Sequence, residues 1–218
     1  YDNLKRMNKS AKRMCMPELD KKTVMEGIKK LVEIDSDWIP TEDGTSLYIR
    51  PTMIAFDKML GVHPASNYKF FVILSPVGSY YANGLKPTRI MIEEHFVRAA
   101  IGGTGEVKCM GNYAASLLAG QKANEKGYDQ TLWLDAAEKK YIEEVGAMNI
   151  FFVIDNKVVT PALTGSILPG ITRNSVIKIL EDNEIEIEER KISVEEVVAA
   201  HNEGKLQEVF GCGTAAVI

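Results

Sequence analysis

The stretch GGTGEVKCMGNYAAS, residues 102–116, places a single lysine, Lys108, between a glycine-rich approach and an Asn-Tyr pair that opens a helical pattern. Its neighbours Val107, Cys109 and Met110 are small or apolar. An ammonium buried in such company tends to lose its proton, and a neutral lysine is a nucleophile. A second stretch, EEVGAMNIFFVI, sets Glu144 directly ahead of an apolar strand. An unpaired carboxylate is costly there, so a cation is expected to meet it. In GSILPGITRNS a Pro-Gly turn feeds a helix, and the first amides, those of Ile171 and Thr172, form an end suited to phosphate. FGCGTAAV, residues 210–217, is a loop whose two glycines let the backbone approach a ligand, with the Thr214 hydroxyl beside them. Singly, Lys108, Glu144 and Thr214 are what surfaces ordinarily carry. Together they offer a nucleophilic amine, a partner for a ring nitrogen and a phosphate cup, which is what Schiff-base chemistry on a phosphorylated ring requires.

Elements legible in the pattern must hold these groups in place. Apolar residues recur at helical spacing over 4–16 and 19–34, with Pro17 between the two runs. SLYIRPTMIAF and YKFFVILSPVG are rich in β-branched and aromatic residues and read as strands, and 88–92 as a shorter one. The paired glycines of EEHFVRAAIGGTG mark a connector. The second half then reads as helix 112–126, strand 130–134, strands within 141–154, strand 157–160, helix 172–182, strand 185–190, helix 194–200 and strand 206–210. This is an α+β chain, expected as a small α/β domain over 1–97, a connector over 98–105 and a larger mixed-sheet domain over 106–218.

Composition sets the outer limits. With 218 residues, 45% of them hydrophobic and 26% charged, the chain is long enough for one large or two modest cores. A formal net charge of −4 argues against a nucleic-acid binder. The longest apolar stretches, 70–74 and 148–154, the latter broken by Asn149, fall well short of the ~20 residues that span a bilayer. Lys5, Arg6, Lys9, Lys12 and Arg13 read as the solvated face of a helix. Cys15, Cys109 and Cys212 lack metal or disulfide spacing, as do His63, His95 and His201, so no metal is expected, and a reducing, cytoplasmic compartment is. No cleavable signal sequence is expected at the start of the chain. It starts at Tyr1 and stops in an apolar run, and is expected to be a fragment lacking both ends.

Pyridoxal phosphate meets the needs set out by the lysine, the carboxylate and the phosphate cup. NLKRMNKSAKRMCMP, SLYIRP, GEVKCMGNYAAS, LWLD, EVGAMNIFFV, ILPGITRNS and EVFGCGTAAV, in this order, resemble the branched-chain amino acid aminotransferases of pyridoxal-phosphate fold type IV. The resemblance implies that Lys108 holds the cofactor covalently and that Glu144 pairs with its ring nitrogen. It also implies that Arg6, the amides of Ile171 and Thr172, and Thr214 bind the phosphate, and that Tyr113 flanks the ring. On the substrate side it implies that Tyr48 and the amides of Thr214 and Ala215 hold the α-carboxylate. Tyr80, Tyr113 and Ala147 would line an apolar pocket, Leu60 and Val62 would close it from the other subunit of a homodimer, and Arg50 would meet the glutamate γ-carboxylate. The implied partners are amino acids and 2-oxo acids, with no nucleic acid and no membrane. Two departures stand out: Ala147 and Ala216 occupy positions where mammalian members carry threonine and the first cysteine of a redox pair, so that thiol switch is not expected here. The competing expectations are another fold type IV enzyme, a D-amino acid aminotransferase or aminodeoxychorismate lyase, and a truncated non-catalytic fragment.

Overall fold

The computed structural model describes residues 1–78 and 87–214, in two compact units, Tyr1–Leu85 and Lys86–Ile218. In the first unit, α1 (Asp2–Arg13) turns Leu4, Asn8 and Ala11 inward at helical spacing. Asn8 earns its burial by holding the next segment at both ends of one residue: its amide donates to the Leu19 carbonyl (2.9 Å) and accepts from the Leu19 N–H (3.0 Å). Asp20 then caps α2 (Lys21–Ile34), accepting from the Thr23 N–H at 2.8 Å and its hydroxyl at 2.6 Å. β1 (Ser46–Ala55) and β2 (Tyr68–Val77) form an antiparallel pair in register from Ser46 opposite Val77 to Ala55 opposite Tyr68. Pro51 lies in the middle of β1, where it is tolerated because β2 is the strand's only partner among the described residues.

The second unit holds two sheets. β3 (Ile90–Glu93) runs parallel to β4 (Gln130–Leu134), the crossover being α3 (Met110–Glu125), and β4 pairs antiparallel with β5 (Ile142–Val145). β6 (Asn149–Ile154) and β7 (Lys157–Pro161) form a hairpin whose turn residues, Asp155 and Asn156, both have positive φ (51° and 64°), the two-residue turn that matches strand twist. After α4 (Ile171–Asp182), β8 (Ile187–Arg190) joins β7 in parallel; after α5 (Val194–Asn202), β9 (Leu206–Cys212) joins the far side of β6. Phe151, Val158, Val176 and Cys212 form the core under this four-stranded sheet, and Phe151 stacks on Phe210 with centroids 5.1 Å apart.

The sequence reading matches this element order, with ends shifted by a few residues. One difference affects the site. The compact units divide between 85 and 86, upstream of the connector expected over 98–105, because β3 is paired with β4 and belongs to the second unit. The segment that follows is embedded there: Glu93 accepts from the N–H groups of His95 (2.7 Å) and Phe96 (3.0 Å), and Arg98 is buried. Gly105 packs so tightly that a Cβ on it would collide with the Ser166 carbonyl and the Ala99 methyl. Since the obstacle is backbone, Gly105→Ala is expected to destabilise the fold by at least about 1–3 kcal/mol. Urea unfolding at unchanged m-value measures this, and wild-type stability would show that the loop yields freely.

Candidate active site

A cleft in the second unit gathers several of the residues singled out in the sequence. Lys108 comes from the loop that ends at Cys109, Tyr113 from the first turns of α3, Glu144 from β5, and Ala147 from the turn between β5 and β6. The cleft is open to solvent on one side, and the space among its lining residues, counted out to the mouth, is about 360 Å³. Arg98, Asn112, Ser116 and Leu168 complete its walls along with Val107 and Gly146, residues to which the sequence alone assigns no role.

Glu144 lies at the centre of the geometry. Strand alternation sends it and Glu143 to opposite faces of β5, yet both are buried. Glu144, 3% exposed, accepts the Leu168 N–H on Oε1 at 2.8 Å, and its Oε2 lies 3.2 Å from Nε of Arg98, itself only 8% exposed. This approach is an ion pair without a well-aligned hydrogen bond, since Arg98 Nε finds no hydrogen-bond acceptor among the described residues. The cation expected from the cost of burying Glu144 therefore exists, and it is Arg98. Through Nη2, Arg98 also donates to the Ser166 carbonyl, while the Ser166 hydroxyl donates to Glu143. A short polar chain thus links both carboxylates to one segment. Burial pushes the Glu144 carboxyl up to about 7, against the opposing pull of Arg98, the Leu168 N–H and Lys108. Burial raises Glu143 too, against its bond to Ser166 and the charge of Arg98.

Lys108 sits at the rim. It is exposed, contrary to the burial considered from its apolar neighbours; Val107 takes the buried place and leaves the lysine side chain outside. Its Nζ lies 5.7 Å from the Tyr113 ring centroid. Ile171 and Thr172 do open α4, behind Gly170 as N-cap, and are half-buried, but they do not line this cleft. Thr214 is exposed just beyond β9 and does not line it either. Gly211 serves the protein itself: a Cβ on it would stand 3.1 Å from both Met148 Cε and Val145 Cγ1, so β9 closes against the turn that carries Ala147. In the first unit, Arg6 is half-buried on α1. Tyr48 and Arg50 share one face of β1 with the guanidinium 5.0 Å from the ring centroid, and Leu60 and Val62 are fully exposed. Tyr80 and Ala215 lie outside the described residues. Among the described residues no group of His, Cys, Asp and Glu could hold a metal ion, and no helix is long and apolar enough to cross a membrane.

A lysine at the rim, an aromatic ring beside it and a buried carboxylate on a mixed sheet define a class of protein. The whole chain, residues 1–218, matches the amino-transferase class IV family and belongs to it. Its fold is that of the fold type IV aminotransferases. It is 58% identical to branched-chain-amino-acid aminotransferase 2 of Bacillus subtilis (strain 168), over 99% of this chain and 60% of that protein. The crystal structure of the Escherichia coli branched-chain amino acid aminotransferase superposes with a TM-score of 0.83 at 32% identity, covering 99% of this chain and 68% of that one. A T.th. branched-chain amino acid aminotransferase with pyridoxamine 5'-phosphate gives a TM-score of 0.83 at 30% identity, over 99% and 67%. The chain therefore spans about 60% of the length of the Bacillus subtilis relative.

The raised Glu144 carboxyl gives stability a pH dependence. Between about 4.5, its ordinary value, and about 7, the folded ligand-free protein binds a proton that the unfolded chain does not, so this group's contribution falls as pH rises through that window. Glu144→Gln should flatten that slope. Arg98→Met, which strands the carboxylate, should cost about 3–5 kcal/mol at about pH 8 and clearly less at about pH 5, where Glu144 is neutral. Equal losses at the two pH values in urea titrations would show that Arg98 does not act through the charge of Glu144.

Proposed function

We propose that the protein is a pyridoxal-phosphate transaminase that moves the amino group of leucine, isoleucine or valine to 2-oxoglutarate, reversibly, giving a branched-chain 2-oxo acid and glutamate. The observation that carries this reading is the convergence of Lys108, Tyr113 and Glu144 on one cleft. The family and the names of the relatives support it. The residues fit the cofactor: an amine at the rim for its aldehyde, an aromatic side chain beside it, and a buried carboxylate facing the same space for its ring nitrogen.

Bound there, pyridoxal phosphate supplies an aldehyde carbon for an amine and a protonated ring that accepts the electron pair released when a substrate Cα proton leaves. The chain's own residues do the rest. Glu144 keeps the proton on the ring nitrogen, and the Arg98 guanidinium favours the carboxylate's charged form. Lys108 would hold the cofactor through its amine, and the same amine, standing at the rim beside Tyr113, would be the base that takes the substrate Cα proton. In the same reading Arg6, the Ile171 and Thr172 amides and the Thr214 hydroxyl hold the phosphate. Tyr48 and the Thr214 and Ala215 amides hold the α-carboxylate, and Tyr80, Tyr113 and Ala147 receive the aliphatic side chain. Leu60 and Val62 act across a homodimer in the cytoplasm. Arg50 answers the γ-carboxylate of glutamate, which could not be left without a partner in an apolar pocket. The resemblance supports these assignments.

Two substitutions test the reading. Lys108→Ala should abolish the visible absorption that stays with the protein when pyridoxal phosphate is added and the unbound excess removed. Glu144→Gln should keep that absorption while slowing turnover by on the order of 10²-fold, about 2.7 kcal/mol of barrier. An amino-donor screen with 2-oxoglutarate should favour leucine, isoleucine and valine. A Lys108→Ala spectrum equal to that of the wild type would overturn the assignment.

A further inference from the structure

We infer that Asn112 is the positioning residue for the Lys108 amine, holding the peptide from which that side chain departs; this rests on the transaminase reading above. Asn112 lies in the first turn of α3 and is 9% exposed. All three of its amide bonds go back into the loop that precedes the helix. Its Oδ1 accepts the Thr104 hydroxyl at 2.8 Å, and its Nδ2 donates to the carbonyls of Thr104 and Val107, each at 2.8 Å. The Val107 carbonyl belongs to the peptide that carries the Lys108 N–H, so this bond fixes the plane at which the Lys108 backbone begins.

Other contacts leave that peptide little freedom. Val107 is plugged into the interior, and its N–H closes a turn onto the Thr104 carbonyl at 3.1 Å. Gly105 is pressed against the Ser166 backbone on the other side. The helix gains no side-chain cap from Cys109, and the Asn112 amide ties its first turn to the loop. The bonding pattern requires an amide: two carbonyls need donors and one hydroxyl needs an acceptor, which asparagine supplies and its isostere aspartate does not. Asn112→Asp keeps the volume and turns both carbonyl contacts into unpaired or repulsive ones.

The test compares wild type, Asn112→Asp, Thr104→Val and Lys108→Ala. Pyridoxal phosphate is added to each ligand-free protein, covalent attachment at Lys108 is trapped by borohydride and timed by mass spectrometry per folded molecule, and kcat and KM are measured separately. Asn112→Asp should slow attachment by ~10-fold or more and lower kcat with little change in the KM for leucine, because small misplacements of a reacting group are costly. Thr104→Val spares both Nδ2 bonds and should stay near wild type. If Asn112→Asp does not fold, Asn112→Ala, which removes the bonds without adding charge, carries the same expectation. Attachment at the wild-type rate with only a lower melting temperature would overturn the proposal, as would an equal loss in Thr104→Val. A wild-type protein that attaches no more cofactor than Lys108→Ala would overturn the transaminase reading instead.

Discussion

Burying the Glu144 carboxylate removes water that would otherwise solvate it, and the interior must replace that solvation. One N–H and one guanidinium do so, and each comes from a segment with no regular structure of its own: Leu168 from the stretch before α4, Arg98 from the stretch after β3. Because Arg98 also donates to the Ser166 carbonyl, the two segments are tied to each other as well as to β5. Breaking one partner would leave a charge stranded in a dry place, which is far more damaging than the pair is stabilising. The sheet, the stretch after β3 and the approach to α4 are consequently fixed around a single carboxyl group.

Much of this was legible in the residue order. Strand 130–134 is matched to the residue, since TLWL between Gln130 and Asp135 is a compact apolar run bounded by polar punctuation. The Pro-Gly turn did announce α4. The cost of burying Glu144 also correctly demanded a cation. Its identity was hidden because Arg98 is 46 positions upstream and in a stretch whose glycines read as a connector. The available signal was that Arg98 is the lone Lys or Arg between Arg89 and Lys108, flanked by Val97 and Ala99. The bonds of Asn112 were equally unreadable, because the helical pattern says where its backbone goes and nothing of which carbonyls its amide meets. The exposure of Lys108 went against its neighbourhood for a simple reason: once Val107 fills the interior, the next side chain is directed elsewhere.

The turn between β5 and β6 shows how closely the two sheets of the second unit are coupled. Gly146 takes φ +55° there, and a Cβ on it would run into the Gln130 side chain. Its N–H donates to the Thr131 carbonyl at 2.7 Å, pinning the turn to β4 while Gly211 of β9 packs on Val145 and Met148. Glu144 stands two residues before this corner and Ala147 within it, so both sheets fix the floor of the cleft.

That corner also carries a light source. The chain has two tryptophans: Trp38 is 68% exposed, whereas Trp133 is 1% exposed and is the register partner of Glu144 across β4 and β5. The indole N–H of Trp133 donates to the Gly146 carbonyl at 2.9 Å, so its environment is dry and its dipole is held in one orientation. Its emission belongs at the blue end of the indole range and that of Trp38 at the red end. Any chromophore seated in the cleft that absorbs where Trp133 emits will draw energy from it, so the fold itself provides an optical gauge of whether the site is filled.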